Sequence, residues 1–407
     1  MERKYPKVFI TKKGENHVKS GHPWVFEGEI TEVRGEYTNG EIVDVYSQKS
    51  RYLGSGYIND NSKIRVRIIS KNANDKFDEA FYKRRLQYAV DYRKTVMGDT
   101  DFKCCRLIFG EADIFPGLTV DRFENVLSVQ ILSLGIEKIK NFLIPELVNI
   151  LNGMGESIDT VYERNDVALR EKEGMTQYKG FFTGNGLKAD GNGLVTITEN
   201  GIKYEVDYIN GQKTGFFLDQ KYNRNAIRKI AKGRNVLDCF THTGAFALNA
   251  YAGSAKKVTA VDISEDALST AKHNAQLNGF SDINFICADV FDLLTDMKES
   301  GKCDYDFIIL DPPAFTKSSS TVNNAYRGYK EINLKAMKLL PRGGYLATCS
   351  CSHFMTDELF RKMLKDAAAD TEVDLREIES RKQSCDHPVL WNVPETEYLK
   401  FYIFQVV

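Results

Sequence analysis

The sequence predicts a multidomain protein: a small N-terminal β-barrel, a central α+β segment and a C-terminal, doubly wound α/β domain. Three observations carry this reading. At 407 residues the chain exceeds one ordinary core. Its first 72 residues are short strands punctuated by Gly14, Gly21, Gly40, Gly54 and Gly56. From residue 194 onward strands and helices alternate, and four apolar runs each close on a carboxylate, Asp238, Asp262, Asp289 and Asp311.

Composition narrows the class. An apolar content of 42% with 27% charged residues describes a soluble globular protein. With a net charge of −1, any polyanionic partner must be met by a local basic face. The eight cysteines show neither CxxC pairing nor Cys/His zinc spacing, so no metal is expected and the thiols point to a reducing, cytoplasmic setting. The opening MERKYPKVFITKKGE has no apolar signal core, and no stretch is long and apolar enough for a membrane.

In the barrel, residues 1–72, the runs VFIT, GEIVDVYS, YLGSGYI and KIRVRIIS alternate or run apolar. Lys63, Arg65 and Arg67 fall on one face of the last run, either as a solvated outer face or as an RNA-facing stripe. Gly21 to Phe26, GHPWVF, either stacks on bases or plugs the barrel. The central domain, residues 73–190, begins with a helix over 75–97 and continues through a meander, the amphipathic EKIKNFLIPELVNILN and the strand IDTVYERND. Phe181 to Gly193 is the expected linker.

The domain spanning 194–407 opens on a hairpin turning at Asn200-Gly201. The loop GQKTGFFLDQ, carrying Phe217, either lids a ligand pocket or forms a structural turn with buried phenylalanines. It lacks the GxxxxGK[ST] spacing of a phosphate loop. RNVLDCFTHTGAF then reads as buried strand, tight turn and first helical turn, so Asp238, Phe240, Thr243 and Gly244 should border a ligand. Asp262 is placed for the two hydroxyls of a ribose, with Ile263 against an adenine face. Asp289 and Val290 repeat the arrangement for the exocyclic amine and the ring. The turn THTGA lacks the glycines that pyrophosphate binding prefers, and acidic strand ends favour a cation, so the sulfonium of S-adenosylmethionine suits this site better than NAD. The ordered set Asp238, Gly244, Asp262, Asp289 and Asp311-Pro312-Pro313 resembles the motifs of class I methyltransferases of Rossmann-like fold.

The last strand, GGYLATCSCSHFM, brings Cys349 and Cys351 to the same edge. Cytosine C5 is a weak nucleophile. A thiolate that adds to C6 makes C5 enamine-like, and an acid near N3 must neutralise the ring, for which Asp311 is the candidate. GHPWVFEGEI, ERNDVALREKEG, GQKTGFFLDQ, VLDCFTHTGAF, DPPAFTKS, SCS and DHPVLWNVPETEYLK, in that order, resemble the ribosomal RNA large-subunit (cytosine-C5) methyltransferases that carry an N-terminal PUA domain. The resemblance spans nearly the whole chain and implies methylation of a cytosine in large-subunit, 23S ribosomal RNA, with Cys351 as the nucleophile. Cys349 matches the TCS pattern of another cytosine-C5 family and is the second choice. Cys239 and His242 depart from the bulkier apolar residue and the aromatic expected at their positions, which affects packing near the cofactor.

The expected partner is large-subunit ribosomal RNA, with a homodimer possible and neither membrane nor metal involved. A PUA-like barrel implies RNA binding, and a target base must leave its stack to reach the sulfur. Phe315 or a residue of the FF loop, Phe216-Phe217, is the candidate to stack on it, while Arg164 and Arg170 either hold phosphates or form ion pairs. Two other classes compete: an RNA-base nitrogen methyltransferase in which the cysteines are bystanders, and a non-catalytic RNA-binding assembly factor. An NAD oxidoreductase is a distant third.

Overall fold

A computed structural model of the chain describes residues 3–184, 186–316 and 318–407. The chain forms two compact units. The first comprises Met1–Ile197, Val206–Leu218 and Cys385–Thr396; the second comprises Thr198–Glu205, Asp219–Ser384 and Glu397–Val407.

In the first unit, a six-stranded, barrel-like sheet runs in the order Trp24–Phe26, Ile64–Ser70, Tyr52–Ile58, Ile42–Ser47, Lys7–Ile10 and Ile30–Arg34. Alternate residues Val8, Ile10, Val43, Val45, Val66 and Ile68 point inward into one apolar core. A five-stranded sheet follows, ordered Tyr178–Phe181, Thr160–Asn165, Val126–Ile131, Leu118–Phe123 and Cys104–Phe109. Helices Glu79–Val96 and Leu134–Gly153 press Leu86, Val90, Leu143 and Leu147 onto Leu107, Val129 and Val161. Tyr57 and Ile69 of the first sheet join this same core, and the Tyr57 hydroxyl donates to that of Tyr82 at 2.7 Å. The boundary drawn at 72/73 from sequence therefore lies within one compact unit. Segment Cys385–Thr396 completes the unit: Asp386 is fully buried, with Oδ2 accepting from the Arg106 amide at 2.8 Å and its carbonyl from Arg93 Nη2 at 2.9 Å.

The expected linker begins on the last residue of strand Tyr178–Phe181, and its residue 185 lies outside the described residues. Strands Leu194–Glu199 and Ile202–Asp207 form the anticipated hairpin, with Asn200 at φ 53° and Gly201 at φ 75° as a two-residue turn of this kind requires.

The second unit is built on seven strands: β1 (Asn235–Cys239), β2 (Lys257–Asp262), β3 (Ile283–Cys287), β4 (Phe307–Leu310), β5 (Tyr345–Ser350), β6 (Leu375–Arg381) and β7 (Lys400–Val406). Their order is β3-β2-β1-β4-β5-β7-β6, parallel from β3 to β5, with β7 antiparallel to both of its neighbours. The helices are α1 (Ala245–Ala252), α2 (Glu265–Leu277), α3 (Val290–Ser300), α4 (Val322–Leu339) and α5 (Asp357–Ala369). Leu237, Ile308, Leu310 and Leu346 of the sheet share a core with Leu294 of α3, Ile332 of α4 and Phe360 of α5. Within this unit Arg224 donates two bonds to Glu199, at 2.6 and 2.7 Å, and both side chains are buried. The order reverses between β1 and β4, where β2 and β3 lie to one side and β5 to the other. A doubly wound sheet receives its ligand at the carboxyl ends of strands at such a switch point. Among the described residues no helix is long and apolar enough to cross a membrane.

Candidate active site

Asp238 is fully buried near the end of β1, as its apolar run predicts. Its Oδ2 accepts from Thr241 Oγ1 at 2.5 Å and from the Ala247 amide at 2.9 Å, while Oδ1, also buried, has no partner among the described residues. Burial pushes the carboxyl up to about 8, against the Thr241 hydrogen bond and with a further push from Asp311. A buried acceptor lacking a partner is costly, and a cationic ligand would relieve both the orphaned oxygen and the raised pKa.

The turn after β1 is tight. Phe240 and His242 take φ values of 64° and 50°, unusual for residues with side chains, and Gly244 at 82° begins α1. A Cβ on Gly244 would come within 2.9 Å of Leu248 Cδ1 and 3.0 Å of Ala271 Cβ. The Phe240 ring is half-buried against the core below, and the Thr243 carbonyl accepts from Asn274 Nδ2 at 3.1 Å.

Asp262 closes β2, accepting from the His242 amide at 2.8 Å and from the Ser264 amide at 3.0 Å. These bonds orient the carboxylate and leave lone pairs on both oxygens for hydroxyl donors. Beside it Ile263 is 69% exposed, an apolar surface suited to a ring face. Asp289 caps α3, with Oδ1 accepting from the Phe291 and Asp292 amides at 2.7 and 3.3 Å. Val290 departs from expectation: as the first residue of α3 it turns into the core, 3% exposed, and Ile263 alone presents an exposed apolar side chain.

On the other side of the switch point, Asp311 follows β4 and Cys349 lies within β5. The Cys349 thiol donates to Asp311 Oδ1 at 2.9 Å and to the Leu310 carbonyl at 3.3 Å. Gln220 Nε2 donates to the same Asp311 oxygen at 3.1 Å and to Cys349 Sγ at 3.4 Å, and its own carbonyl is held by Asn223 Nδ2 at 2.7 Å. Burial raises the Asp311 carboxyl, with Asp219 adding to the rise and the bonds from Cys349 and Gln220 opposing it. Burial, reinforced by Asp311, holds the Cys349 thiol well above the usual thiol range. Cys351, one residue past β5, is half-buried; flanking it, Ser350 Oγ donates to the Tyr329 hydroxyl at 3.0 Å and Ser352 Oγ to the Thr316 carbonyl at 2.9 Å. Phe315 is half-buried, its ring centroid 4.5 Å from that of Tyr329 and 6.0 Å from that of Phe291.

The remaining expected residues belong to the first unit. The Phe217 ring lies under Lys213 Nζ, 4.4 Å away. Lys63 is exposed, but Arg65 donates to Asp60 and Glu27, both at 2.7 Å, and Arg67 to Glu173 at 2.7 Å. Arg170 is 1% exposed, bonding to the Ile131 and Thr176 carbonyls at 2.6 and 2.8 Å and pairing with Glu137 at 3.1 Å. Arg164 donates to the Gly211 carbonyl at 2.9 Å and to Asp166 at 3.2 Å. Of the two readings left open for Arg164 and Arg170, the geometry matches ion pairing, because carboxylates and backbone carbonyls already occupy their donors. Lys400 was not anticipated and enters the site through strand order, which leaves no local signature; Gln220 ends the loop GQKTGFFLDQ, in the short 3-10 turn Leu218–Gln220.

Residues 174–388 match the S-adenosylmethionine-dependent methyltransferase family, and residues 8–71 match a PUA-like domain. Strand order, acidic strand ends and this match together define an S-adenosylmethionine-dependent methyltransferase with the class I fold and an N-terminal PUA-like domain. The chain is 39% identical over 401 residues to ribosomal RNA large subunit methyltransferase I of Pseudoalteromonas translucida (strain TAC 125), covering 98% of this chain and 99% of the relative. It is 38% identical to the protein of that name from Klebsiella pneumoniae (strain 342), covering 99% of each. It belongs to the ribosomal RNA large subunit methyltransferase I family. The fold is shared with SMU.776, described as a methyltransferase and crystallised with SAH, at TM-score 0.82 and 20% identity over 98% of this chain and 99% of that one.

The described residues fit this cofactor. Asp238 offers a buried, unsatisfied oxygen for a cationic group, Asp262 would hold the ribose hydroxyls, and Ile263 and Asp289 would meet the adenine ring and its amine.

Proposed function

We propose that the protein methylates C5 of a cytosine in large-subunit ribosomal RNA through a covalent adduct at Cys351. The observation that supports this most is the unequal state of the two cysteines at the end of β5. Cys349 is wholly buried and spends its proton on Asp311, so ionising it would place a thiolate against a carboxyl in a dry site. Cys351, half-buried at the strand end, is the more exposed of the two thiols.

Bound between the acidic strand ends, the cofactor supplies an electrophilic methyl group. The Cys351 thiolate adds to C6, forming a carbon–sulfur bond and moving the ring's electron pair toward N3, where protonated Asp311 donates its proton. C5, now enamine-like, would take the methyl group: the new carbon–carbon bond forms as the sulfonium–methyl bond breaks and the neutral thioether leaves. A base then takes the C5 proton, the C5–C6 double bond returns, sulfur leaves as thiolate, and the N3 proton returns to Asp311. Burial raises the Asp311 carboxyl, the direction a proton donor in this role requires. Gln220 keeps Asp311 aimed, and Phe315 is suited to contact the extruded base at its exposed edge.

The test is transfer of labelled methyl from S-adenosylmethionine to unmodified large-subunit RNA, followed by mapping of 5-methylcytosine. Cys351→Ala should abolish transfer while cofactor binding, followed by calorimetry, persists. Transfer by that variant would reject the thiolate mechanism in favour of methylation at nitrogen. No transfer by the unaltered protein to RNA or to assembling subunits would favour a binding role.

A further inference from the structure

Lys400, the first residue of β7, is 5% exposed and pairs across the sheet with Ser350. Its Nζ donates to the Ser352 carbonyl at 2.6 Å and to the Tyr398 carbonyl at 2.8 Å. The lysine thus starts opposite the residue before Cys351 and ends on the carbonyl of the residue after it. Among the described residues no carboxylate lies within ion-pairing distance of this ammonium. The acids nearest in influence are committed elsewhere: Asp357 to Arg361 at 3.0 Å and to the Tyr402 hydroxyl, Glu397 to Lys382 at 2.7 Å.

Burying an ammonium without a carboxylate partner is costly, and lysines rarely sit in such places without a charge to meet. Two carbonyls satisfy two of its three N–H groups but supply no countercharge. We infer that Lys400 is a positioning residue for the proposed nucleophile, holding positive charge beside Cys351 so that its thiolate forms near neutral pH. Cations beside a cysteine favour the thiolate, the form that adds to carbon. Burial lowers the Lys400 amine to about 8, and the groups that oppose this fall are Cys351 first, then Asp357, Glu397 and Cys349. A thiolate at residue 351 would in turn hold the proton on the lysine, so the two charges support each other. The two carbonyl bonds also fix the backbone on which Cys351 sits.

This inference rests on Cys351 as the nucleophile, but its test does not depend on methyl transfer. The rate of Cys351 alkylation by iodoacetamide, located by peptide mass spectrometry and followed against pH on the full chain, reads the thiol's pKa directly. In the unaltered protein it should fall below the ordinary ~8.5 of a free cysteine. Lys400→Met should slow alkylation at pH 7 by roughly tenfold, in line with a thiol pKa about one unit higher, and Lys400→Arg should restore most of the rate. A Cys351 that titrates at or above the ordinary value in the unaltered protein overturns the inference even if Lys400→Met does not fold. So does a folded Lys400→Met with an unchanged profile, which would leave the lysine as a backbone staple. An active Cys351→Ala enzyme would reject the nucleophile without altering the alkylation profile, so the two failures are separable.

Discussion

Cys349 and Asp311 share a proton contact: the buried thiol donates to the carboxyl oxygen across 2.9 Å, joining β5 to the residue that follows β4. That bond leaves Cys349 a structural partner of the proposed acid. Replacing it should therefore tune the reaction instead of ending it. Cys349→Ser, which keeps a donor, should retain most methyl transfer, and Cys349→Ala should lower kcat by about tenfold through loss of one hydrogen bond to Asp311. Steady-state kinetics of the two variants beside Cys351→Ala checks this, and a dead Cys349→Ser enzyme would exchange the roles of the cysteines.

Asp238 gives stability an unusual dependence on pH. Its carboxyl is at about 8 in the folded chain against an ordinary value of 3.8. Between those values the folded state binds a proton that the unfolded chain does not, so this group's contribution is fully present below about pH 4 and is lost as pH rises through about 8. Without cofactor, Asp238→Asn should flatten the decline of Tm from pH 5 to 8.5, and it should weaken cofactor binding because a neutral amide cannot meet a cation. Thermal scans across pH and calorimetric titration measure the two effects.

Gly244 should resist substitution. A side chain there meets both a left-handed backbone at φ 82° and contacts of 2.9 and 3.0 Å. Gly244→Ala is expected to cost about 1–3 kcal/mol, a Tm loss of about 2–4 °C per kcal/mol. Cofactor affinity should fall with it, since the turn carries the amide that orients Asp262.

The Glu199–Arg224 pair is fixed by two short bonds in a buried site. Removing one charge strands the other, so Glu199→Gln should destabilise by about 3–5 kcal/mol. Denaturant unfolding measures it, and a loss under 1 kcal/mol would mean that water reaches the guanidinium.

The acid-ended strands were legible because each is a local pattern: an apolar run, buried in three strands and partly exposed in the edge strand Ile283–Cys287, then a carboxylate at or just past the strand's end. Asp238, Asp262, Asp289 and Asp311 all stand at such ends. The Asn200-Gly201 turn was legible for the same reason. What stayed hidden depends on pairing between distant segments. Glu173 and Glu137, which engage Arg67 and Arg170, lie 106 and 33 residues from them. Val290 reads as an exposed neighbour of Asp289 until the helix start fixes its direction. Lys400 reaches Ser352 only because β7 inserts antiparallel beside β5.

The return of Cys385–Thr396 to the first unit delays the completion of that unit during synthesis. Asp386, which ties down Arg93 and Arg106, is synthesised 293 residues after the first of them and 280 after the second. A nascent chain therefore cannot finish its amino-terminal half before nearly all of it has left the ribosome, and a fragment cut at residue 197 would leave those arginines without that anchor.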